Sequence, residues 1–194
     1  MVRTTALFVL IGLGTSVSIQ GCAPAGVAAG AATGAVVAHD RRSTGAYMDD
    51  EIIEWKIFDV IRSDEGLREQ AHINATSFNG IVLLTGEVPS EELRQRAVEL
   101  ARGVNKVRQV HDEITVAAPS SMLSRSGDTW ITGKVKTAIF NDNTDLASRT
   151  KVVTEKGIVY LMGIVTPDEA ESATEIARRV GGVQRVVKVF EYQS

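Results

Sequence analysis

The sequence predicts an α+β fold: two tandem α-β-β-α-β units, each a three-stranded mixed sheet packed on two helices, behind a flexible amino-terminal tether. Three observations carry this expectation. The chain repeats itself from Asp50 onward. Each repeat passes from helical to strand periodicity and back in the same order. The stretch before the repeats is rich in Gly and Ala and almost free of large side chains.

The repeat is read from matched blocks. Asn79-Gly-Ile-Val-Leu-Leu-Thr-Gly86 matches Lys156-Gly-Ile-Val-Tyr-Leu-Met-Gly163 at an offset of 77, and Ala97-Val-Glu-Leu-Ala-Arg102 matches Ala173-Thr-Glu-Ile-Ala-Arg178 at an offset of 76. Upstream, Asp50-x-Ile-Ile-x-x-Lys56-Ile57 aligns with Asp128-x-Trp-Ile-x-x-Lys134-Val135 at an offset of 78. Offsets this close over a whole unit point to duplication. The units are therefore set at 50–116 and 128–194, with 117–127 as a polar linker.

Within each unit the first element is an amphipathic helix. Ile53, Ile57, Val60 and Ile61 share one face in the first copy, and Ile131, Val135, Ala138 and Ile139 do so in the second. Two strands follow, Gln70–Phe78 with Ile81–Val88 and Lys151–Thr154 with Ile158–Val165. The Asn79-Gly80 and Glu155-Lys156-Gly157 turns close them as hairpins. A second helix starts near Ser90, and its counterpart opens on the capping box Thr166-Pro167-Asp168-Glu169 with Pro at the first helical position. The last strands are Val107–Val116 and Arg185–Tyr192. The expected core includes Ile57, Val82, Leu84, Leu100 and Val107, and their equivalents Val135, Val159, Leu161, Ile176 and Val183.

Residues 1–21 read as an export signal, with Arg3 as a short positive region and Ala6 to Leu13 as an apolar run too short to span a bilayer. Its end, Ile19-Gln20-Gly21-Cys22, resembles the lipobox of bacterial lipoproteins, with Gln20 in place of the usual small residue. Cys22 is the one cysteine of the chain, so it forms no internal disulfide. The resemblance implies that Cys22 becomes the lipid-modified N-terminus, carrying acyl chains such as palmitate. Ala23 after it implies sorting to the outer membrane, facing the periplasm. Residues 22–49 are then a lipidated Gly/Ala-rich tether, although Gly26, Gly30 and Gly34 also form a small-residue series of the kind that packs membrane helices.

The glycine-framed hairpins, the helices around Ala97–Arg102 and Ala173–Arg178, and the valine-rich closing strands resemble the BON domain. Two copies behind a lipobox resemble the dual-BON lipoproteins of the Gram-negative outer membrane. That resemblance implies an α-β-β-α-β fold in each copy, no catalysis, no cofactor, and a role in phospholipid binding and membrane integrity.

Composition agrees with a non-enzymatic reading. With 21 basic and 24 acidic residues the chain is not a nucleic-acid binder. His39, His72 and His111 lack metal-site spacing, and no GxSxG, Walker or GxGxxG motif occurs. The first copy holds 8 basic and 13 acidic residues against 9 and 9 in the second, so an anionic lipid surface repels the first and tolerates the second. The resemblance implies contact with an anionic phospholipid membrane through the first helix of the second copy, where the candidate residues are Trp130, Ile131, Lys134 and Lys136. Trp130 lies off the core face with Lys134 one turn along, the pairing that suits a membrane interface; covering the edge of the core is the competing role for Trp130. Trp55 and Phe58 also lie away from their core face, where they could dock one copy on the other. A protein-interaction scaffold recruiting an envelope assembly factor or a cell-wall enzyme regulator is the alternative function.

Overall fold

The computed structural model describes residues 40–118 and 122–193. The signal, Cys22 and the Gly-x-x-x-Gly series lie outside the described residues.

In the first copy α1 (Thr44–Ser63) starts where the Ser43 hydroxyl accepts from the Ala46 amide, and α2 (Glu65–Gln70) starts where Asp64 accepts from the Leu67 amide. The chain continues through β1 (His72–Phe78), β2 (Ile81–Val88), α3 (Glu91–Arg102, capped by Ser90) and β3 (Gln109–Val116). The second copy repeats the order: α4 (Met122–Asp142), α5 (Thr144–Arg149, capped by Asn143), β4 (Thr150–Glu155), β5 (Ile158–Val165), α6 (Pro167–Arg178) and β6 (Arg185–Tyr192). The Thr166–Glu169 capping box is formed at the start of α6. Each sheet has its middle strand antiparallel to the hairpin partner and parallel to the closing strand, in the orders β1-β2-β3 and β4-β5-β6.

The short helices α2 and α5 are additions to the sequence expectation. Each spans 6 residues and buries a single side chain, Leu67 or Leu146, so no periodicity announces it. Two boundaries also differ. The segment read as tether ends in structure, because α1 begins at Thr44 and Asp40 to Arg42 bind the folded body. The segment read as linker contains the start of α4 at Met122.

Alternation along the middle strands builds the layers. Val82, Leu84 and Val88 of β2 point toward α1 and α3, joining Ile53, Ile57, Leu67, Ala97 and Ala101 in one core. Val159, Leu161 and Val165 of β5 do the same with Val135, Ile139, Leu146, Ala173 and Ala177. The expected core residues Leu100, Val107, Ile176 and Val183 pack on these clusters partly buried. The opposite faces pack on each other: Phe78, Ile81 and Leu83 meet Tyr160, Met162 and Val189 in a third cluster. The molecule is thus helices, sheet, sheet, helices, with both middle strands buried on two faces.

Candidate functional site

The site is built on α4, and a buried aspartate ties α4 to the sheet. Asp128, 7% exposed, accepts from the amides of Lys156 (2.9 Å) and Gly157 (2.8 Å), tying the helix to the β4–β5 turn. Lys156 and Gly157 both have positive φ (50° and 74°), the requirement of a two-residue hairpin turn whose amides point outward for capture. The first copy repeats the device. Asp50, 2% exposed, accepts from the amides of Asn79 (2.7 Å) and Gly80 (2.8 Å), from Ser77 Oγ (2.6 Å) and from Arg42 (2.8 Å). Burial pushes the Asp50 carboxyl up, but the hydrogen bonds from Ser77, Gly80, Arg42 and Asn79 outweigh it and hold the group below its ordinary value. Sequence reasoning aligned these two aspartates without giving them a task. Their signal was an invariant place in the repeat, one helix before an Asn-Gly or Lys-Gly turn.

With Asp128 fixing its rotation, α4 sets Val135 and Ile139 in the core and turns Trp130 out, 69% exposed. The competing role of Trp130 as a cover for the core edge does not fit that exposure. The four candidate residues do not form one cluster. Ile131 is partly buried against the second core. Lys134 turns onto the Gly181 carbonyl of the α6–β6 loop. Lys136 is exposed on the other flank of the helix. Phe140, 55% exposed, was missed; it lies ten residues past Trp130, about 15 Å along the axis, and leaves two aromatic groups outside the core on α4.

Trp55 and Phe58 on α1 do not dock the copies together. They are 66% and 57% exposed, with Met48 and Ile52 beside them, because the copies meet through their sheets instead. Polar contacts cross that junction: Lys151 to Glu54 (2.7 Å), Lys156 to the buried Glu87 (2.8 Å), and Arg108 with Asn79 onto Glu191 (3.0 and 2.8 Å). Arg41 adds a strap from before α1 to Glu169 of α6 (2.6 Å).

Among the described residues no group of three or more His, Cys, Asp or Glu side chains is placed to hold a metal ion, and no helix is long and apolar enough to cross a membrane. His72 and His111 sit on β1 and β3, on opposite sides of the middle strand.

Two α-β-β-α-β units with glycine-framed hairpins define the class of the protein. The chain belongs to the BON-domain family, whose pattern matches residues 49–118 and again residues 127–194. It is similar to outer membrane lipoprotein DolP of Haemophilus influenzae, with 41% identity over 180 residues covering 93% of each chain. It is also similar to a 21 kDa hemolysin of Actinobacillus pleuropneumoniae (37% identity, 79% of each chain) and to osmotically-inducible protein Y of Escherichia coli (30% identity, 73% of this chain and 72% of that one). The chain is a dual-BON lipoprotein of the outer membrane.

Proposed function

We propose that this lipoprotein, held through acyl chains on Cys22, binds anionic phospholipid through α4 of its second domain, acts without catalysis or a cofactor, and supports outer-membrane integrity. The observation that carries the reading is the exposure of Trp130 on a helix whose domain has no net charge. An indole prefers the head-group level, where its apolar body and its N–H are both satisfied. Phe140 adds apolar surface, and Lys136 adds a cation worth about 1 kcal/mol near an anionic bilayer. Lys134 contributes charge from the opposite flank, and Ile131 supports the helix from beneath. Each term is weak alone, so the lipid anchor supplies permanence and the domain supplies choice of surroundings.

The test is co-sedimentation of residues 23–194 with vesicles containing anionic lipid. Trp130→Ala is expected to weaken binding roughly tenfold, the order of an exposed aromatic anchor, with an unchanged melting temperature. Equal binding by wild type and Trp130→Ala, or retention of an unmodified Cys22 in the intact mass of the mature protein, sinks the reading.

A further inference from the structure

Between the two domains, α1, the end of β1, α4, α5 and β4 enclose a groove of about 840 Å³. That is the size of sites which take small amphiphilic ligands. Its walls are Tyr47, Phe78, Ile139, Phe140 and Val152. Among them Phe140 is 55% exposed, so an apolar wall stands open to solvent.

The polar groups of the groove are unequally satisfied. Arg42 is paired with Asp40 and Asp50, and Lys151 with Glu54. Lys136, at the rim, has no ion-pair or hydrogen-bond partner among the described residues. Thr150 lines the same groove and is 8% exposed, yet its hydroxyl makes no hydrogen bond. A buried hydroxyl without a partner is costly; this one has almost no accessible surface as it stands, so the acceptor of a ligand meets it after rotation about χ1. The geometry therefore asks for a ligand with three parts: an anion for Lys136, an oxygen acceptor for Thr150, and a flexible apolar chain for the aromatic walls.

We propose that this interdomain groove takes one acyl chain of a membrane phospholipid, with a glycerol-ester carbonyl accepting from Thr150 Oγ1 and the phosphate meeting Lys136. The inference deepens the membrane reading of α4 and rests on it for the delivery of the lipid, since Lys136 and Phe140 belong both to that helix and to the groove. Contact with the bilayer and capture of a chain are nevertheless separable events. The first uses the outer face at Trp130. The second uses the side of α4 turned toward β4 and the start of α1. A lipid seated here would touch both domains and so report lipid occupancy to their junction.

The experiment titrates residues 23–194, which keep every contact described for the folded body, with dihexanoyl phosphatidylglycerol below its micelle concentration, followed by NMR. Saturable shifts at Phe78, Thr150 and Val152 are expected. Thr150→Val should weaken the affinity roughly fivefold, the loss of one hydrogen bond. Ser148→Trp, which fills the groove from α5, should weaken it at least about tenfold, as a steric block does; both variants are checked for an unchanged melting curve. Shifts confined to the outer face around Trp130 overturn the groove and leave the membrane reading standing. Equal shifts from glycerophosphoglycerol without chains, or unaltered affinity in both variants, overturn it as well. Loss of vesicle binding in the wild-type chain marks failure of the membrane reading instead, and is measured separately.

Discussion

Asp50 and Asp128 occupy the same place in the two copies, and each spends its carboxylate on the amides of a hairpin turn. Asp50 has a second duty, because Arg42 reaches it with a side chain only 7% exposed while lying over the Phe78 ring at 3.9 Å. Replacing Asp50 by Ala leaves two turn amides, the Ser77 hydroxyl and half of a buried guanidinium's partners unsatisfied. The expected cost is about 3–5 kcal/mol, the range for breaking a buried ion pair from one side. Because the folded value of Asp50 lies below its ordinary 3.8, its contribution is fully present above that pH and is lost as pH falls through the folded value. Urea denaturation of wild type and Asp50→Ala should therefore differ most near neutrality and converge in strong acid. A constant difference across that range would disprove the account. The aligned Asp was legible in the sequence. Its task was not, since a carboxylate that caps a turn some thirty residues away leaves no local spacing signal.

The hairpins show how far local sequence specifies an element. The first glycine of each framed motif serves the turn, and the last serves a close approach of backbones. A Cβ on Gly86 would lie 1.9 Å from the His72 carbonyl oxygen, and one on Gly163 would lie 2.3 Å from that of Arg149. Gly86 also has φ of 117°, a region closed to other residues. Gly86→Ala is expected to destabilise by more than about 2 kcal/mol, as strain at a special backbone conformation does, with the loss read from thermal unfolding. A stability within a few tenths of a kcal/mol of wild type would show that the β1–β2 pairing yields easily. Strands, hairpins and the two longer helices of each copy were readable because their periods persist for two turns or more. The six-residue α2 and α5 were not, having only a cap and one buried leucine each. The burial of β2 and β5 on both faces did have a signal: Ile81-Val-Leu-Leu and Ile158-Val-Tyr-Leu-Met are apolar at every position, where a sheet with one wet face alternates.

At the scale of the whole molecule, the sheet-on-sheet junction sets the helices outward on both sides and buries charge between the copies. Glu87 is fully buried and is met by Lys156, while Glu155, 9% exposed, lies near both Glu87 and Asp128. Burial, then repulsion from Glu87 and Asp128, raises the Glu155 carboxyl above its ordinary value; Asn74 donates to it at 3.5 Å, too long to offset this. The folded state therefore binds the Glu155 proton more tightly than the unfolded chain does, and stability is lost as pH rises from the ordinary value through the folded one. Glu155→Gln removes the charge and keeps an acceptor for Asn74. It should raise stability at pH 7, and with it the melting temperature, because the buried charge that burial and its acidic neighbours penalise is gone. That advantage should fade as pH drops below the raised value, where the wild-type carboxyl is already protonated. Melting curves of both proteins from acid to neutral pH check this. A variant less stable than wild type at pH 7 would mean that the ionised Glu155 holds the domains together, and the junction would then tighten with rising pH instead of loosening.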